Sequence, residues 1–310
     1  MSAAPPGDRR LRMLEERVKT LLPFEYQERY DEVQPVSMGS AGLKFGADGR
    51  VAWNEIWGGF CDLAMAGGPP HKGRLLEPGS EDEIAQEPGR YKEVADEICR
   101  GIRMVTELAV SPSPNPGWVQ VGCDTETMAN WLVRAIVMEN VSAWREDSVL
   151  ELPAAPRYRL EKEIKNVITV IAKTCHYFAD HLRSGQQRAI GALFKEMDAV
   201  SPMLQPGVAG HGFDPIKQGE LSARIVYLIE GSTGLRRGER DYTGWVGVTC
   251  PGVGTAISMM RLLSTVNVLS RREDTILYVP VNPITDPTGE IVAQAVAEVY
   301  RLPVPQNNLY

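Results

Sequence analysis

The chain contains two similar stretches of its own sequence: residues 117–156 align without a gap with residues 244–283, at a constant offset of 127 positions. Fifteen of the 40 aligned positions are identical. Self-similarity at a fixed offset is typical of a repeated structural unit. The sequence therefore predicts an internal tandem duplication, with two copies of one local fold packed about a pseudo-two-fold axis.

The order of elements within the repeat indicates the fold class. A β-rich run at 118–121 precedes an apolar-periodic helix at 127–141, and a second short strand follows at 149–152. A strand, a helix and a strand of these lengths are typical of a crossover unit whose strands are parallel. We expect an α/β protein in which each strand-helix-strand unit is flanked by helices. The two halves are predicted to be residues 1–156 and 157–310, with the main cleft between them.

Composition and charge limit the possible partners. The chain has 33 Lys and Arg against 40 Asp and Glu, a net charge of −7, and neither sign gathers into a long block. Nucleic acid and membrane surfaces are therefore not expected partners. The beginning of the chain lacks the apolar segment of a signal peptide. Five widely spaced cysteines predict free thiols rather than a disulfide framework, so we expect a cytoplasmic protein.

Two cysteines occupy the same position in both copies. Cys123 and Cys250 each follow a predicted strand and precede a predicted helix, where ligands bind in open α/β sheets. A helix N-terminus would lower the thiol pKa and make the cysteine reactive. Two facing thiols would suit a two-base reaction. This pair of cysteines resembles in outline the one in the cofactor-independent amino-acid racemases, which carry one cysteine in each of two related lobes. The motifs that surround the racemase cysteines are absent from this chain. The alternative is that both cysteines are small apolar residues that close a buried strand.

The two copies differ at the turn after this cysteine, where the second copy carries a Pro-Gly-Val-Gly run at 251–254. Gly252 and Gly254 would let backbone N–H groups approach an anion at the start of a helix. The turn therefore predicts contact with the carboxylate or phosphate of a small substrate. A tight turn without a ligand is the alternative, since no complete nucleotide-binding motif is present.

The polar residues that both copies share exceed what packing requires. Arg134 and Arg261 lie within apolar helices, where a guanidinium group needs a carboxylate, a carbonyl or a ligand. Asn140 and Asn267 follow these helices. The four residues are predicted to bind substrate. The Arg-Glu-Asp run that comes next in each copy is interpreted as a charged turn or an ion-pair lock between the copies.

A loop at 67–73 carries His71 and Lys72 after two glycines and two prolines. An imidazole beside an ammonium group could serve as an acid or base and as an anion contact near neutral pH. Rigid loops often carry such binding residues. His71 is therefore predicted to be catalytic and Lys72 to bind substrate; the alternative is that the loop only terminates a helix.

His176 and His181 lie on one predicted helix with Asp180, which is four residues after His176 and within hydrogen-bond reach of it. Histidines five residues apart point in different directions on an α-helix, whereas helical metal sites use pairs three or four residues apart. No metal site is therefore predicted, and no organic cofactor can be assigned from these residues.

Two functional hypotheses follow from these residues. The first is a small-molecule enzyme, an isomerase, lyase or hydrolase, that acts on an anionic metabolite at the interface of the two halves. The second is a non-catalytic ligand-binding or assembly protein, a homo-oligomer in which the duplicated units make the contacts. Thiols with lowered pKa values would favour the enzyme, and buried thiols would favour the assembly protein.

Overall fold

The computed structural model describes residues 6–27, 42–55, 73–208 and 214–302. Within these ranges the chain is a mixed helix-and-strand protein with two four-stranded sheets, which confirms the predicted combination of helices and strands. The α-helices are α1 (Pro6–Thr20), α2 (Phe24–Gln27), α3 (Glu81–Gln86), α4 (Pro88–Thr106), α5 (Glu126–Met138), α6 (Lys165–His176), α7 (Ser184–Val200), α8 (Pro215–Thr233), α9 (Val253–Ser264) and α10 (Glu290–Tyr300). The strands are β1 (Ala109–Pro112), β2 (Trp118–Gly122), β3 (Trp144–Glu146), β4 (Val149–Pro153), β5 (Arg236–Arg237), β6 (Trp245–Thr249), β7 (Arg271–Glu273) and β8 (Ile276–Pro280).

The two sheets have matching strand orders. The first runs β1-β2-β4-β3 and the second β5-β6-β8-β7. Every neighbouring pair in both sheets is antiparallel. The registers also correspond, because Trp118 lies opposite Pro153 in the first sheet and Trp245 lies opposite Pro280 in the second.

The prediction of adjacent parallel strands is wrong. Helix α5 returns the chain to β3, which runs in the same direction as β2, but β4 lies between them and is antiparallel to both. A tight hairpin turn makes this insertion possible, with Asp147 in the left-handed region (φ 49°) and Asp274 in the same conformation (φ 55°) in the second sheet. Strands β3 and β7 have only three residues each, which is too short for a clear periodic pattern, so sequence periodicity does not predict them.

Helix boundaries follow from local chemistry. Asp214 caps α8 by accepting backbone N–H groups of its first turn, and Pro215 occupies the first helical position, where no N–H is needed. The helix ends at Gly234, whose φ of 78° is the left-handed conformation that glycine adopts at little cost. Helix α4 ends in the same conformation at Glu107, with a φ of 60°.

Each sheet carries an equivalent set of helices. Helix α4 packs on β1 and β2, α5 packs on β3 and β4, and α6 packs against both helices. In the second set, α8 packs on β5 and β6, α9 packs on β7 and β8, and α10 packs against both helices. Helix α1 contacts α7 and α9, and buried side chains from both sets form one continuous core. The division into halves at residues 156 and 157 stays a prediction.

Backbone hydrogen bonds ahead of the aligned residues recur at matching places. The Leu76 N–H donates to the Asn140 carbonyl (2.8 Å), and the Leu204 N–H donates to the Asn267 carbonyl (2.7 Å). Each of these bonds belongs to an isolated parallel bridge. One bridge joins the segment before α4 to the chain after α5, and the other joins the segment before α8 to the chain after α9. The structural correspondence therefore begins about 40 residues before the aligned stretches of sequence.

Candidate functional site

Arg134 lies buried on α5 and contacts residues of both halves of the chain. Its guanidinium donates to the Asn267 side chain (Nη2–Oδ1 2.6 Å), the Ser264 carbonyl (Nε–O 3.3 Å) and the Asn130 carbonyl (Nη1–O 3.0 Å). Its terminal carbon lies 4.5 Å from the centre of the Phe194 ring. Burial lowers the pKa of this guanidinium, and the three acceptors offset part of the desolvation cost.

Asn140 and Asn267 occupy equivalent positions after α5 and α9, and both have left-handed backbone angles (φ 57° and 60°). The Asn267 Nδ2 donates to the Asp198 carboxylate (2.8 Å) and to the Ser201 carbonyl (2.7 Å). The Asn140 Nδ2 donates to the Arg272 carbonyl in the second sheet (2.9 Å). The structure therefore brings Arg134 into contact with Asn267, whereas Asn140 contacts the second sheet, and protein groups engage all three side chains.

Arg271 is the buried partner of Asn140. Its Nη1 donates to the Asn140 Oδ1 (2.9 Å) and to the Glu273 carboxylate (2.8 Å). The guanidinium carbon lies 4.0 Å from the ring centre of Tyr278 and 4.4 Å from that of Tyr242, which adds cation–π attraction. Burial lowers the pKa of Arg271, and the paired carboxylate acts in the opposite direction. The arginine therefore joins β7 of the second sheet to Asn140 at the end of α5.

Sequence reasoning missed Arg271 because the two copies do not share it. The equivalent residue of the first copy is Trp144, and the ring of Tyr278 stands where the first copy has Glu151. Polar and aromatic residues have thus exchanged places between the copies. A comparison of the differences between the copies, in addition to their identities, would have pointed to this position.

Three further predicted binding residues lie on α9 or at its start. Arg261 is buried at the position equivalent to Arg134. Gly252 caps the helix with an extended backbone (φ −167°), and Gly254 lies in the first helical turn. Neither glycine adopts the left-handed conformation, so the backbone does not require glycine there. Contact of this turn with an anion stays a prediction.

Cys123 and Cys250 lie buried just after β2 and β6. Their backbone N–H groups donate to the Ser148 and Thr275 carbonyls (both 2.9 Å) and so extend the sheets by one bond. Burial raises the pKa of each thiol to about 12, and the nearby Asp124 adds to the increase at Cys123. The expected lowering of the thiol pKa is wrong, because desolvation outweighs any effect of the helix N-terminus.

The buried thiol of Cys250 should react slowly with iodoacetamide in the folded protein near neutral pH. Its reaction should accelerate in urea, because an unfolded thiol regains a pKa of about 8.5 and becomes accessible. Mass spectrometry of the peptide that contains Cys250 measures the rate, and a Cys250→Ser variant controls for reaction elsewhere. A folded-state rate equal to the unfolded-state rate would contradict the burial of this thiol.

The third residue predicted to be catalytic, His71, and the neighbouring Lys72 lie outside the described residues. Their roles as acid or base and as anion contact stay predictions. The catalytic roles predicted for Cys123, Cys250 and His71 likewise stay predictions.

A shallow cavity of about 270 Å³ lies between α4 and the segment at 42–55. Arg50, Arg90 and Glu97 contribute charged groups to its lining. The Glu97 carboxylate already accepts hydrogen bonds from Trp53 Nε1 (2.8 Å) and Arg50 Nη2 (3.1 Å). None of the described residues predicted to bind substrate lines this cavity.

His176 and His181 lie closer together than their spacing predicts. Their Nε2 atoms are 3.3 Å apart, and the Asp180 Oδ2 lies 2.6 Å from the His176 Nδ1. The backbone explains this approach, because residues Tyr177–His181 form a π-helical turn, in which residues five positions apart share a side. The prediction that the two rings point in different directions is wrong.

Within the described ranges, no group of three or more histidine, cysteine, aspartate or glutamate residues could hold a metal ion. No described helix combines the length and apolar character needed to cross a membrane. Searches against protein-family models, curated proteins and solved structures found no match for this chain.

Proposed function

We propose that the protein is a non-catalytic assembly protein, a body of two related units that associates with a second copy of itself. An exposed apolar face on α8 carries this proposal. The two predicted catalytic thiols are buried with raised pKa values, and the side chains of Arg134, Asn140 and Asn267 are engaged by protein groups, which weakens the case for an enzyme built on them. The enzyme hypothesis stays a prediction, and it would depend on His71 and Lys72.

We also propose that the two units are duplicated copies related by a pseudo-two-fold axis. Contacts between the units support this relation at the level of segments, because a short strand of each unit contacts the segment that precedes α4 or α8 in the other unit. The Arg145 N–H of β3 donates to the Gln205 Oε1, and the Gln205 Nε2 donates to the Arg145 carbonyl (both 3.0 Å). The Glu273 carboxylate of β7 accepts a hydrogen bond from the Leu75 N–H (3.3 Å). Leu75 and Gln205 lie in the matching segments that precede α4 and α8. A two-fold relation is expected to place the same pair of segments together twice.

The outer face of α8 exposes two large apolar side chains. Ile216 and Tyr227 are 73% and 77% exposed. They are eleven residues apart, about three helical turns, so both lie on the same face, and the exposed Ala223 lies between them. An apolar surface of this kind is typical of an interaction site.

The equivalent helix of the first unit, α4, is covered. Arg100 takes the place of Tyr227 there and donates to the Val51 carbonyl (Nη2–O 2.7 Å). The buried Trp53 packs beside it and donates to Glu97 (Nε1–Oε1 2.8 Å). Helix α4 is therefore covered by the segment at 42–55, whereas its counterpart α8 exposes Ile216 and Tyr227.

The charges beside this face suit a second copy of the chain. In an antiparallel pair of α8 helices that meet at their outer faces, with a two-fold axis level with positions 221 and 222 along the helix, Ile216 of one copy meets Tyr227 of the other. The same arrangement places Glu220 of one copy beside Arg224 of the other. A surface that complements itself in this way is what a two-fold symmetric interface requires.

Replacing Tyr227 with glutamate should convert the dimer into a monomer, because the substitution places two carboxylates in an interface that excludes water. The fold should be preserved, since exposed substitutions usually change stability by only about 0.5 kcal/mol. Sedimentation velocity over a range of protein concentrations measures the change in mass, and circular dichroism checks the fold.

Val200→Glu is the matched control, because Val200 is 84% exposed at the end of α7 and lies on another helix. This variant should remain a dimer. A wild-type chain that sediments as a monomer at every concentration, or a Tyr227→Glu variant that remains dimeric, would refute the proposed self-association.

A further inference from the structure

We propose that His176 and His181 bind a transition-metal ion, with Asp180 as the group that orients one of the two imidazole rings. The site lies at the end of α6, away from the exposed face of α8, and it does not rest on the proposed self-association. It is a two-histidine site, in which solvent or an external ligand completes the coordination of the ion.

The distance between the two rings fits a shared ion. Zinc lies about 2.0–2.1 Å from a histidine nitrogen, and tetrahedral geometry then separates two such nitrogens by about 3.3–3.4 Å. The Nε2 atoms of His176 and His181 are 3.3 Å apart. An ion beside the line between them would replace their direct hydrogen bond, with only small rotations of the rings.

The backbone provides this distance through an uncommon conformation. In an α-helix, residues five positions apart differ by about 140° around the axis, which would separate the two imidazoles. The π-helical turn Tyr177–His181, with its Leu182 N–H donating to the Tyr177 carbonyl (3.2 Å), removes that separation. Single π turns within helices are often found at functional sites.

Asp180 supplies the second feature of a histidine metal site. Its Oδ2 lies 2.6 Å from the His176 Nδ1, so the carboxylate orients the ring with its Nε2 toward the Nε2 of His181. Metal-bound histidines commonly have such a carboxylate partner, which fixes the ring and raises its basicity. Asp180 is 63% exposed and the His176 side chain is 33% exposed, so an ion can enter from solvent.

The donor set determines which ions should bind. Imidazole nitrogen suits Cu²⁺, Ni²⁺ and Zn²⁺, whereas Mg²⁺ prefers carboxylate, carbonyl and water oxygens. Binding should therefore be strongest for Cu²⁺ among the divalent ions and should be absent for Mg²⁺. The Tyr177 ring, centred 5.0 Å from the His181 ring, packs beside the site.

Isothermal titration of the chelator-treated full-length chain with Cu²⁺, Ni²⁺, Zn²⁺ and Mg²⁺ tests the site. His181→Gln should abolish the transition-metal binding. Asp180→Asn, at an exposed position, should weaken it about 10- to 100-fold, which is the usual effect of losing such a carboxylate partner. Asp96→Asn, also at an exposed position but on α4, is the matched control for Asp180→Asn and should bind as the wild type does.

Circular dichroism confirms that each variant is folded before titration. Two results would overturn the proposal: a wild-type chain that binds none of the transition-metal ions, or a folded His181→Gln variant that keeps the wild-type affinity. Sedimentation of the same samples reports the oligomeric state separately, so a failure of the metal site is distinguishable from a failure of self-association.

Discussion

Replacing Lys173 with methionine should lower the free energy of unfolding by about 3–5 kcal/mol, the usual cost of breaking a buried ion pair by removing one partner. Lys173 of α6 pairs with Glu139 at the end of α5, and each side chain is only 2% exposed. The substitution leaves the Glu139 carboxylate buried without its cationic partner. Urea denaturation measures the loss of stability.

A double variant distinguishes the contribution of the ion pair from the contribution of side-chain packing at the same positions. Lys173→Met combined with Glu139→Leu removes both charges, and buried pairs replaced by apolar residues often lose little stability. The double variant should therefore be more stable than Lys173→Met alone. A single variant with the wild-type unfolding midpoint would show that this pair does not contribute to stability.

Removing either repeated tryptophan should be similarly costly. Trp118→Ala and Trp245→Ala should each lower the free energy of unfolding by about 3–5 kcal/mol, because each deletes a large side chain from a packed interior. Both residues are buried, and they lie opposite Pro153 and Pro280 in matching registers. Thermal unfolding followed by circular dichroism measures both losses.

Trp144→Ala is the matched control for these two variants. Trp144 lies on β3 and is only partly buried, so its removal should cost less than the removal of Trp118. If Trp118→Ala or Trp245→Ala kept the wild-type melting temperature, the tryptophan concerned would not be an essential part of the core. A large loss in only one of them would show that the two units depend on this position unequally.

The repeat in the sequence located the elements well but not their pairing. Strands at 118–122 and 245–249 and the helices after them fall where periodicity placed them. The antiparallel pairing depends on the three-residue strands β3 and β7 and on the turns at Asp147 and Asp274. Their short length hides them from periodicity, and hydrogen bonds between distant residues decide which strands become neighbours.

The fate of the shared polar residues also depended on the tertiary structure. The sequence indicates that Arg134 needs a partner inside an apolar helix, but it does not say whether that partner is a substrate or the protein. The structure supplies Asn267 from the other unit (2.6 Å). The equivalence of Cys123 and Cys250 was likewise visible in the sequence, whereas the pKa of each thiol depends on burial, which is a property of the folded chain.

The sequence by itself determined the repeat, the mixture of helices and strands, and the helix ends that local caps and glycine specify, because these depend on nearby residues and on a periodic pattern. Only the tertiary structure decided the strand pairing, the buried pairs of Lys173 with Glu139 and Arg271 with Glu273, and the exposed face of α8. The approach of His176 and His181 belongs to the same group. A π turn replaces the regular helical spacing there, and packing of the surrounding chain can select such a turn where the sequence pattern predicts an ordinary helix.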